Sequence, residues 1–237
     1  MYYNKSNMSV VLPTNGDFMI NIFPQLSSSP LLTGISGDNF NAMLTCLRAK
    51  LNTFGQGETV YYEGDPVYDV GLVVRGRLHL LKSDIWGNNS IVTEINPPEM
   101  FAEAAVCSGE GRLPVSVTAK EKSEILFIDY RKVVTTCPQS CGFHAKLIRN
   151  MISALARKNM MMSAKMGHIT KRSIKEKLLS YLGDVAKQKL SKSFDIPYNR
   201  QELADYLSVE RSALSAEMSR LKSEGVIDYR KNHFKLQ

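Results

Sequence analysis

The sequence predicts an α+β fold in two parts, a β-rich N-terminal half followed by a helical C-terminal half. Three observations carry this prediction: short apolar segments between turn residues up to about Asp129, one long helical pattern after it, and two short helices with a hairpin at the C-terminus. A chain of 237 residues has room for two ordinary domains, each able to bury a core of its own.

The β-rich half is punctuated by turn residues, among them Gly64-Asp65-Pro66 and Gly87-Asn88-Asn89. Short strands that recur about every 8–12 residues predict a sandwich or a closed barrel, which is either solid or holds one small ligand. Ahead of it, residues 1–30 read as a loose arm, although four of its apolar residues could dock on another part of the protein: Phe18, Ile20, Ile22 and Phe23. Asp38–Lys50 has the pattern of a short helix. The predicted strands are Thr59–Tyr62, Val70–Val74, Leu78–Leu81, Ile91–Ile95, Val115–Ala119 and Ile125–Ile128.

The long helix, predicted from about Gln139 to Gly167, carries an apolar seam with one polar residue, Asn159. Its positions alternate between spacings of four and three residues, which is typical of a two-stranded coiled coil. We therefore expect a homodimer in which Asn159 either fixes the register or faces a ligand. The alternative is a helix that packs on the core of its own domain. The seam consists of Ile148, Ile152, Leu155, Asn159, Met162, Met166 and Ile169.

The C-terminal segment predicts two short helices joined by a turn. Asn199, with Glu202 three residues later, is a near match to a capping box, and the first helix must stop near Ser208. A second amphipathic helix starts at about Val209 and continues through Leu221. In a helix-turn-helix the second helix lies in the major groove, so this pattern predicts binding to double-stranded DNA.

A two-stranded wing is expected behind these helices. Val226–Tyr229 and Phe234–Leu236 are apolar segments that bracket the cationic turn Arg230–His233. The charge distribution favours the same partner. Residues 1–140 contain 11 Lys and Arg against 14 Asp and Glu, a net charge of −3, whereas residues 141–237 contain 19 against 9, a net charge of +10. An anionic partner such as a phosphate backbone is therefore attracted to the C-terminal half.

Several classes of protein are not supported. No apolar run is long enough to cross a bilayer and no signal-peptide pattern is present, so we expect a cytoplasmic protein without a membrane partner. The cysteines, Cys137 and Cys141 included, lack the spacing of a disulfide framework or a metal site. No nucleophile–base pair or phosphate-binding loop marks an enzyme. We expect neither catalysis nor a metal or prosthetic cofactor, although an unknown small-molecule effector fits the barrel.

Further motifs occur in the order found in one known family. Gly64 and Gly76 match its β-roll glycines, and Ile174–Leu179 matches the Ile-x-x-x-Leu-Leu motif at the start of its DNA-binding domain. Arg200–Ala204 matches the Arg-Gln-Glu-(Ile/Leu)-(Ala/Gly) motif of its helix-turn-helix. From about Pro30 to the C-terminus, the chain resembles the Crp/Fnr family of bacterial transcription regulators.

The resemblance implies an architecture and a set of partners. The expected parts are an N-terminal arm (1–30), an effector-binding β-roll or jelly roll (31–137), a dimerisation helix with a hinge (138–168) and a winged helix-turn-helix (169–237). An effector would shift the equilibrium between two interdomain arrangements and so control a homodimer that reads a palindromic site. RNA polymerase is the expected protein partner. The alternative function is a sensor module that acts through a protein partner.

The effector site departs from the family pattern. Cyclic-nucleotide-binding members use a glutamate for the ribose hydroxyl and, further along, an Arg-Ser or Arg-Thr pair for the phosphate. Glu103 takes the first position here, whereas Leu113-Pro114 fall at the second, and Arg112 is one residue off. Ala102 also replaces the glycine that lets the backbone approach the phosphate. Because a buried phosphate needs a cationic partner, we expect an effector other than cyclic AMP.

Three readings of this site stay open: a pocket for a different small molecule, a pocket filled by side chains, and a cyclic-nucleotide-dependent regulator. The effector-binding candidates that the resemblance implies are Glu103, Ala104, Arg112 and Asn159. Glu103 could instead cap a short helix over Ala102–Cys107.

The resemblance also assigns roles at the DNA-binding end. Arg211, near the start of the second helix, should reach N7 and O6 of a guanine, the commonest specific contact. Ser212 and Ser215 lie one turn apart and contact bases or phosphates, while Ala213 offers only an apolar contact, for instance to a thymine methyl group. Contacts to phosphates are expected from the start of the first helix and from the wing, at Arg200, Gln201, Arg230, Lys231 and His233.

Overall fold

The computed structural model of the chain describes residues 22–84, 86, 89–135 and 142–237. The chain divides after Ala156 into two compact units. Most of the predicted arm, the cysteines Cys137 and Cys141, and the predicted start of the long helix at Gln139 lie outside the described residues.

The first unit contains two antiparallel sheets of four strands each, which confirms the β-rich half of the predicted α+β fold. Its strands are β1 (Lys50–Phe54), β2 (Thr59–Tyr61), β3 (Asp69–Arg75), β4 (Leu78–Ser83), β5 (Asn89–Ile95), β6 (Met100–Phe101), β7 (Ser116–Ala119) and β8 (Ser123–Asp129). The strand orders are β1-β8-β3-β6 and β2-β7-β4-β5. The helices are α1 (Phe23–Leu26), α2 (Gly37–Cys46), α3 (Glu103–Cys107), α4 (Tyr130–Val134) and the first part of α5 (Gly142–Ile169).

The central strands of the first sheet, β3 and β8, are buried on both faces, which explains their nearly continuous apolar sequences. Val70, Leu72 and Val74 of β3 belong to a helix-side core, together with residues of α1, α2 and α5. Val73, between them, belongs to a separate inter-sheet core, because successive side chains of a strand point to opposite faces. The inter-sheet core consists of Phe54, Val67, Val73, Leu78, Ile95, Phe101, Ala102, Ala105, Val106, Leu113, Val117, Ala119, Ile125 and Phe127.

The two glycines that match the family pattern both occupy turns where a side chain would be strained. Gly64 has φ of 84° and Gly76 has φ of 81°, values that glycine adopts at little cost. At Gly76, between β3 and β4, an added Cβ would also collide with Ser123.

The first unit differs from the predictions in several details. The helix expected over Asp38–Lys50 ends at Cys46, because Arg48 takes a left-handed conformation with φ of 51°. The chain then enters β1, which the sequence did not reveal because its polar residues interrupt the apolar pattern. Residues 22–30, the described part of the arm, contain α1 and pack Ile22 and Leu26 into the helix-side core, so the docking considered for Ile22 occurs. The two-residue strand β6 was also missed.

The long helix α5 has two apolar stripes with different surroundings. One stripe, at Phe143, Leu147, Met151 and Ala154, packs into the helix-side core. The predicted seam lies beside it: Ile148 and Leu155 are half-buried at the edge of that core, whereas Ile152 is exposed. Packing on its own domain, the alternative reading of this helix, therefore holds for the neighbouring stripe and in part for the seam, through Ile148 and Leu155.

The second unit contains the predicted helix-turn-helix and wing. Its elements are the end of α5, α6 (Ile174–Lys189), α7 (Arg200–Leu207), α8 (Arg211–Ser223), β9 (Ser193–Asp195), β10 (Ile227–Arg230) and β11 (His233–Leu236). The sequence missed β9, which pairs with β11 to make the wing a three-stranded sheet of order β10-β11-β9. Helix α8 begins at Arg211, slightly later than expected.

Local chemistry fixes the ends of these helices. A capping box at Asn199 and Glu202 starts α7 as predicted, and a second one at Ser173 and Glu176 starts α6. Ser208, with φ of 52°, ends α7 in a left-handed turn.

Candidate nucleic-acid interface and effector site

A shared apolar core sets the geometry between α7 and α8. Leu203, Ala204 and Leu207 of α7 are buried with residues of α8, and Phe234 of the wing closes the same cluster. The α8 residues in this core are Leu214, Met218 and Leu221. Because these side chains occupy one face of each helix, the opposite face of α8 is left for a partner.

The exposed face of α8 begins with a cation, Arg211. Arg211 and Ser212 are exposed, while Ala213 and Ser215 are half-buried. The hydroxyl of Ser215 donates to the carbonyl oxygen of Arg211 at 2.9 Å, and Ser219 donates in the same way to Ser215 at 3.0 Å. The Ser215 proton is therefore used within the helix, and its oxygen remains only as an acceptor.

The wing presents cations at its tip. Arg230 and Lys231 are exposed, and Lys231 turns the hairpin with φ of 55°. His233, the first residue of β11, is instead held by side chains of the adjoining strand β9. Its Nδ1 lies 3.0 Å from Asp195 Oδ1, and its Nε2 lies 2.9 Å from Ser193 Oγ. Both partners of His233 lie in β9, a strand that the sequence did not predict, so these contacts were not predicted either.

The charges near the end of α8 are largely compensated. Arg220 pairs with Glu217 and Glu224, and Lys222 pairs with Asp228 at 2.6 Å between Nζ and Oδ1. The hydrogen bond from Lys222 lowers the pKa of Asp228. In the part of the chain that the structure describes, no ion pair involves Arg211, Arg230 or Lys231. Among the described cations of α8 and of the wing tip, these three have no ion pair and can meet a phosphate or a base.

The two predicted phosphate contacts at the start of α7 differ. Gln201 is exposed, and its amide nitrogen donates to Asp205 Oδ1 at 2.9 Å. Arg200 is half-buried, with its guanidinium carbon 5.0 Å from the centre of the Tyr229 ring. The guanidinium also contacts the sulfur of Met218.

An aromatic cluster joins the end of α5 to α6 and α7 within the second unit. His168, only 3% exposed, lies edge-on to Tyr181, with ring centres 5.8 Å apart. Its Nδ1 is 3.0 Å from Ser180 Oγ, and its Nε2 is 3.8 Å from Asp184 Oδ2. Tyr206 contacts Tyr181 and Tyr198, with ring centres 5.1 Å and 5.0 Å away respectively, and burial raises the pKa of Tyr206.

In the first unit, the residue at the expected phosphate position faces the apolar interior. Leu113 is 5% exposed and belongs to the inter-sheet core together with Phe101 and Val106. Arg112, one residue earlier, is exposed, and its Nη1 donates to the carbonyl oxygen of Gly64 at 2.6 Å. The carbonyl of Pro114 accepts from Lys82 Nζ at 3.0 Å.

The remaining effector candidates have different surroundings. Glu103 begins α3 and is 5% exposed, and Ala102 before it has a left-handed φ of 64°. The helix runs over Glu103–Cys107, and its N-cap residue is Ala102, whose side chain cannot accept a hydrogen bond. Ala104 is exposed on α3, and Asn159 is exposed in the second unit.

Two family models match the chain, and they match the two functional regions separately. A cyclic nucleotide-binding domain matches residues 51–139, and a Crp-like helix-turn-helix domain matches residues 176–237. The chain belongs to the Crp/Fnr family of transcription regulators. The helix-turn-helix of this family is a DNA-binding domain.

Two relatives agree with this membership, and a solved structure shares the fold. The chain is 23% identical over 205 residues to the cyclic AMP receptor protein of Thermus thermophilus, covering 85% of this chain and 89% of that protein. It is 26% identical over 188 residues to the transcriptional activator protein FnrL of Cereibacter sphaeroides, covering 74% and 71%. The fold is similar to that of the c-di-GMP-responsive global regulator CLP of Xanthomonas campestris, with a TM-score of 0.53 at 14% identity, covering 85% of this chain and 99% of that one.

Among the described residues, no helix is both long and apolar enough to cross a membrane. The same residues contain no group of three or more His, Cys, Asp or Glu side chains that could hold a metal ion.

Proposed function

We propose that this Crp/Fnr regulator is a homodimer that reads a palindromic DNA site and whose β-roll does not bind cyclic AMP. The observation that carries the DNA-binding role is the set of uncompensated, exposed cations at Arg211, Arg230 and Lys231. Arg211 stands at the N-terminal end of α8, where a recognition helix meets base edges. The wing cations and Gln201 suit phosphates, which position a protein without specifying sequence. Ser212, Ser215 and Ala213 complete the base-facing set.

The dimer is supported by the seam of α5. Ile152, Met162 and Met166 are 62%, 70% and 55% exposed in the single chain. Covering such an exposed apolar stripe with a second copy of the helix is favourable, because it removes apolar surface from water. Ile148 and Leu155 extend the stripe, and Asn159, also exposed, would fix the register of two parallel helices. Two copies related by a two-fold axis would present two recognition helices to a palindrome.

The proposal about the effector rests on Leu113. A cyclic phosphate placed beside this side chain would lose its hydration and gain no bidentate partner. The nearest arginine in sequence, Arg112, uses its guanidinium on the Gly64 carbonyl. One relative is named for cyclic AMP and one structural neighbour for c-di-GMP, so a shared fold does not fix the effector. We propose that this β-roll binds an effector of different chemistry or binds no effector.

A calorimetric titration of the purified full-length protein with cyclic AMP tests the effector proposal. We expect no heat of binding in wild type. The double variant Leu113→Arg/Pro114→Ser restores the Arg-Ser pair of the cyclic-nucleotide-binding members and serves as the matched comparison. Micromolar binding by wild type would overturn the proposal, and loss of that binding in Arg112→Ala would then assign the phosphate to Arg112.

A salt-dependent gel shift tests DNA binding against the alternative of a sensor module with a protein partner. We expect binding that weakens steeply as salt rises, because each phosphate contact releases counterions. The absence of any shift at low salt would favour the protein partner. RNA polymerase is the partner that we propose for the DNA-bound protein, and a ternary complex on promoter DNA in the same gel would support it.

A further inference from the structure

Arg200 is oriented differently from the other predicted phosphate contacts. It is the first residue of α7, yet its side chain is half-buried, and its guanidinium lies over the face of Tyr229 on the wing strand β10. The distance from the guanidinium carbon to the ring centre is 5.0 Å, within the range of a cation–π interaction. A second cation, Lys222 of α8, has its Nζ 5.2 Å from the centre of the same ring.

Tyr229 is itself fixed from behind. Its ring stacks on Phe234 with centres 5.8 Å apart, and Phe234 is fully buried in the core shared by α7, α8 and the wing. The Tyr229 ring therefore packs against the domain through Phe234, and two cations, Arg200 and Lys222, lie near the ring. Arg200 touches the wing through this ring and α8 through Met218. One side chain thus contacts all three elements that would approach DNA.

The inward position of Arg200 carries an electrostatic cost, which the Tyr229 ring offsets in part. Burial lowers the pKa of Arg200, and the nearby charge of Arg211 acts in the same direction. No ion pair involves Arg200 within the described ranges, so the aromatic face is its main electrostatic partner there. Lys222, in contrast, is compensated by Asp228 at 2.6 Å. A guanidinium loses less on partial desolvation than an ammonium does, which favours arginine at the more buried position.

We propose that Arg200 is a positioning residue that joins the wing to the recognition helix, and that it does not contact a phosphate. This proposal rests on the proposed DNA-binding function. Through Tyr229, Arg200 holds β10 against α7 and α8, and β10 leads directly to the cationic tip at Arg230 and Lys231. Without Arg200 the wing would be held less firmly relative to Arg211. The same phosphate contacts would still form on DNA, but ordering the wing would cost free energy, so binding to every sequence would weaken together.

The salt dependence of DNA binding separates the two roles. A residue that contacts a phosphate contributes about 0.9 to the slope of log K against log salt, whereas a positioning residue contributes nothing to it. For Arg200→Ala in the full-length protein we expect roughly fivefold weaker binding to both selected and random DNA, with the wild-type slope. Lys231→Ala is the matched control, because a variant that no longer neutralises one phosphate should have a slope smaller by about 0.9.

Tyr229 provides a second variant that leaves the charge of Arg200 in place. Tyr229→Leu should weaken binding as much as Arg200→Ala does, and the double variant should be no weaker than either single one. Tyr229→Phe keeps the ring and should bind like wild type. Thermal unfolding followed by circular dichroism identifies any variant that does not fold, and the comparison of Tyr229→Leu with Tyr229→Phe then stands without Arg200→Ala.

Two results would overturn the proposal. One is a slope reduced in Arg200→Ala by as much as in Lys231→Ala. The other is a double variant whose loss of affinity equals the product of the two single losses, since independent residues multiply. If wild type itself shows no salt-dependent binding to DNA, the proposed function fails, and this outcome is distinct from both because it is seen before any substitution is made.

Discussion

The two ends of the chain follow the pattern of their family to different degrees. At the C-terminal end, the recognition helix and wing tip keep exposed cations at Arg211, Arg230 and Lys231. In the β-roll, the buried Leu113 stands where we propose that cyclic-nucleotide-binding members of the family hold a phosphate. One end is built to meet an anion in water, and the other has filled the same kind of position with an apolar side chain.

A shared architecture therefore constrains the DNA-binding surface more closely than it constrains the ligand of the β-roll. Reading DNA requires cations on an exposed face, and a handful of helix and hairpin positions supplies them. Binding a small anion inside a β-roll requires a buried cation with fixed geometry, so one substitution such as arginine to leucine removes the partner. A family match to a cyclic nucleotide-binding domain therefore describes the fold of residues 51–139 and leaves the ligand open.

The largest expected effect comes from breaking the proposed dimer. Met162→Glu places a charge in the seam of α5 and should convert the dimer to a monomer. DNA binding should weaken by roughly 10²-fold or more, because two linked half-sites bind with an avidity that one lacks. Sedimentation measures the oligomeric state and fluorescence anisotropy measures the binding.

Met160→Glu is the matched control for that experiment. Met160 is 71% exposed, close to the 70% of Met162, but it lies outside the seam. It should leave both the dimer and the affinity unchanged. Equal effects of the two substitutions would mean that the seam is not the interface.

The next effect sharpens the contrast at the effector site. Leu113→Ala should reduce the free energy of unfolding by about 2–5 kcal/mol, because it removes a buried side chain from the inter-sheet core. Arg112→Ala, next to it, removes an exposed side chain with one hydrogen bond and should cost about 1 kcal/mol or less. Denaturant titration measures both. A small loss of stability for Leu113→Ala would show that this position has room for a ligand.

Base reading gives a smaller and more selective effect. Arg211→Ala should cost about 1–3 kcal/mol on a selected site and relax the preference at one base position in each half-site. Selection from random DNA followed by sequencing measures the preference. Equal weakening on selected and random DNA would assign Arg211 to the phosphate backbone.

The smallest effect concerns pH and the first unit alone. Burial lowers the pKa of His144 from its usual 6.5, so the folded protein keeps the imidazole neutral. The unfolded chain takes up a proton as the pH falls through about 6.5, and stability should therefore decrease below that pH. His144→Gln should show a flatter decrease in a denaturant series at several pH values. Identical curves for the two proteins would remove His144 as the cause.

Local signals made much of the DNA-binding end predictable. The capping box at Asn199 and Glu202 and the apolar positions at Leu203 and Leu207 lie within one helix, so their spacing alone specifies it. The strand β9 was not predictable, because three residues with one buried side chain, Phe194, carry almost no pattern.

Features that depend on tertiary contacts were less predictable. The sequence of α5 contains two apolar stripes, and periodicity does not say that the one through Leu147 packs inward while Ile152 stays exposed. The position of Arg200 depends on Tyr229, which is 29 residues away in sequence and meets it only in the folded wing. The departure at Leu113, by contrast, was visible in the sequence, and the structure adds that this side chain is buried.

The central claim is that this chain binds DNA without cyclic AMP. The most direct measurement is fluorescence anisotropy of the full-length protein on DNA that it has selected from a random pool, with and without millimolar cyclic AMP. We predict tight, salt-dependent binding with superimposable curves under the two conditions. Binding that is weak without cyclic AMP and strengthens when it is added would contradict the account, because it would require a phosphate partner that Leu113 does not provide.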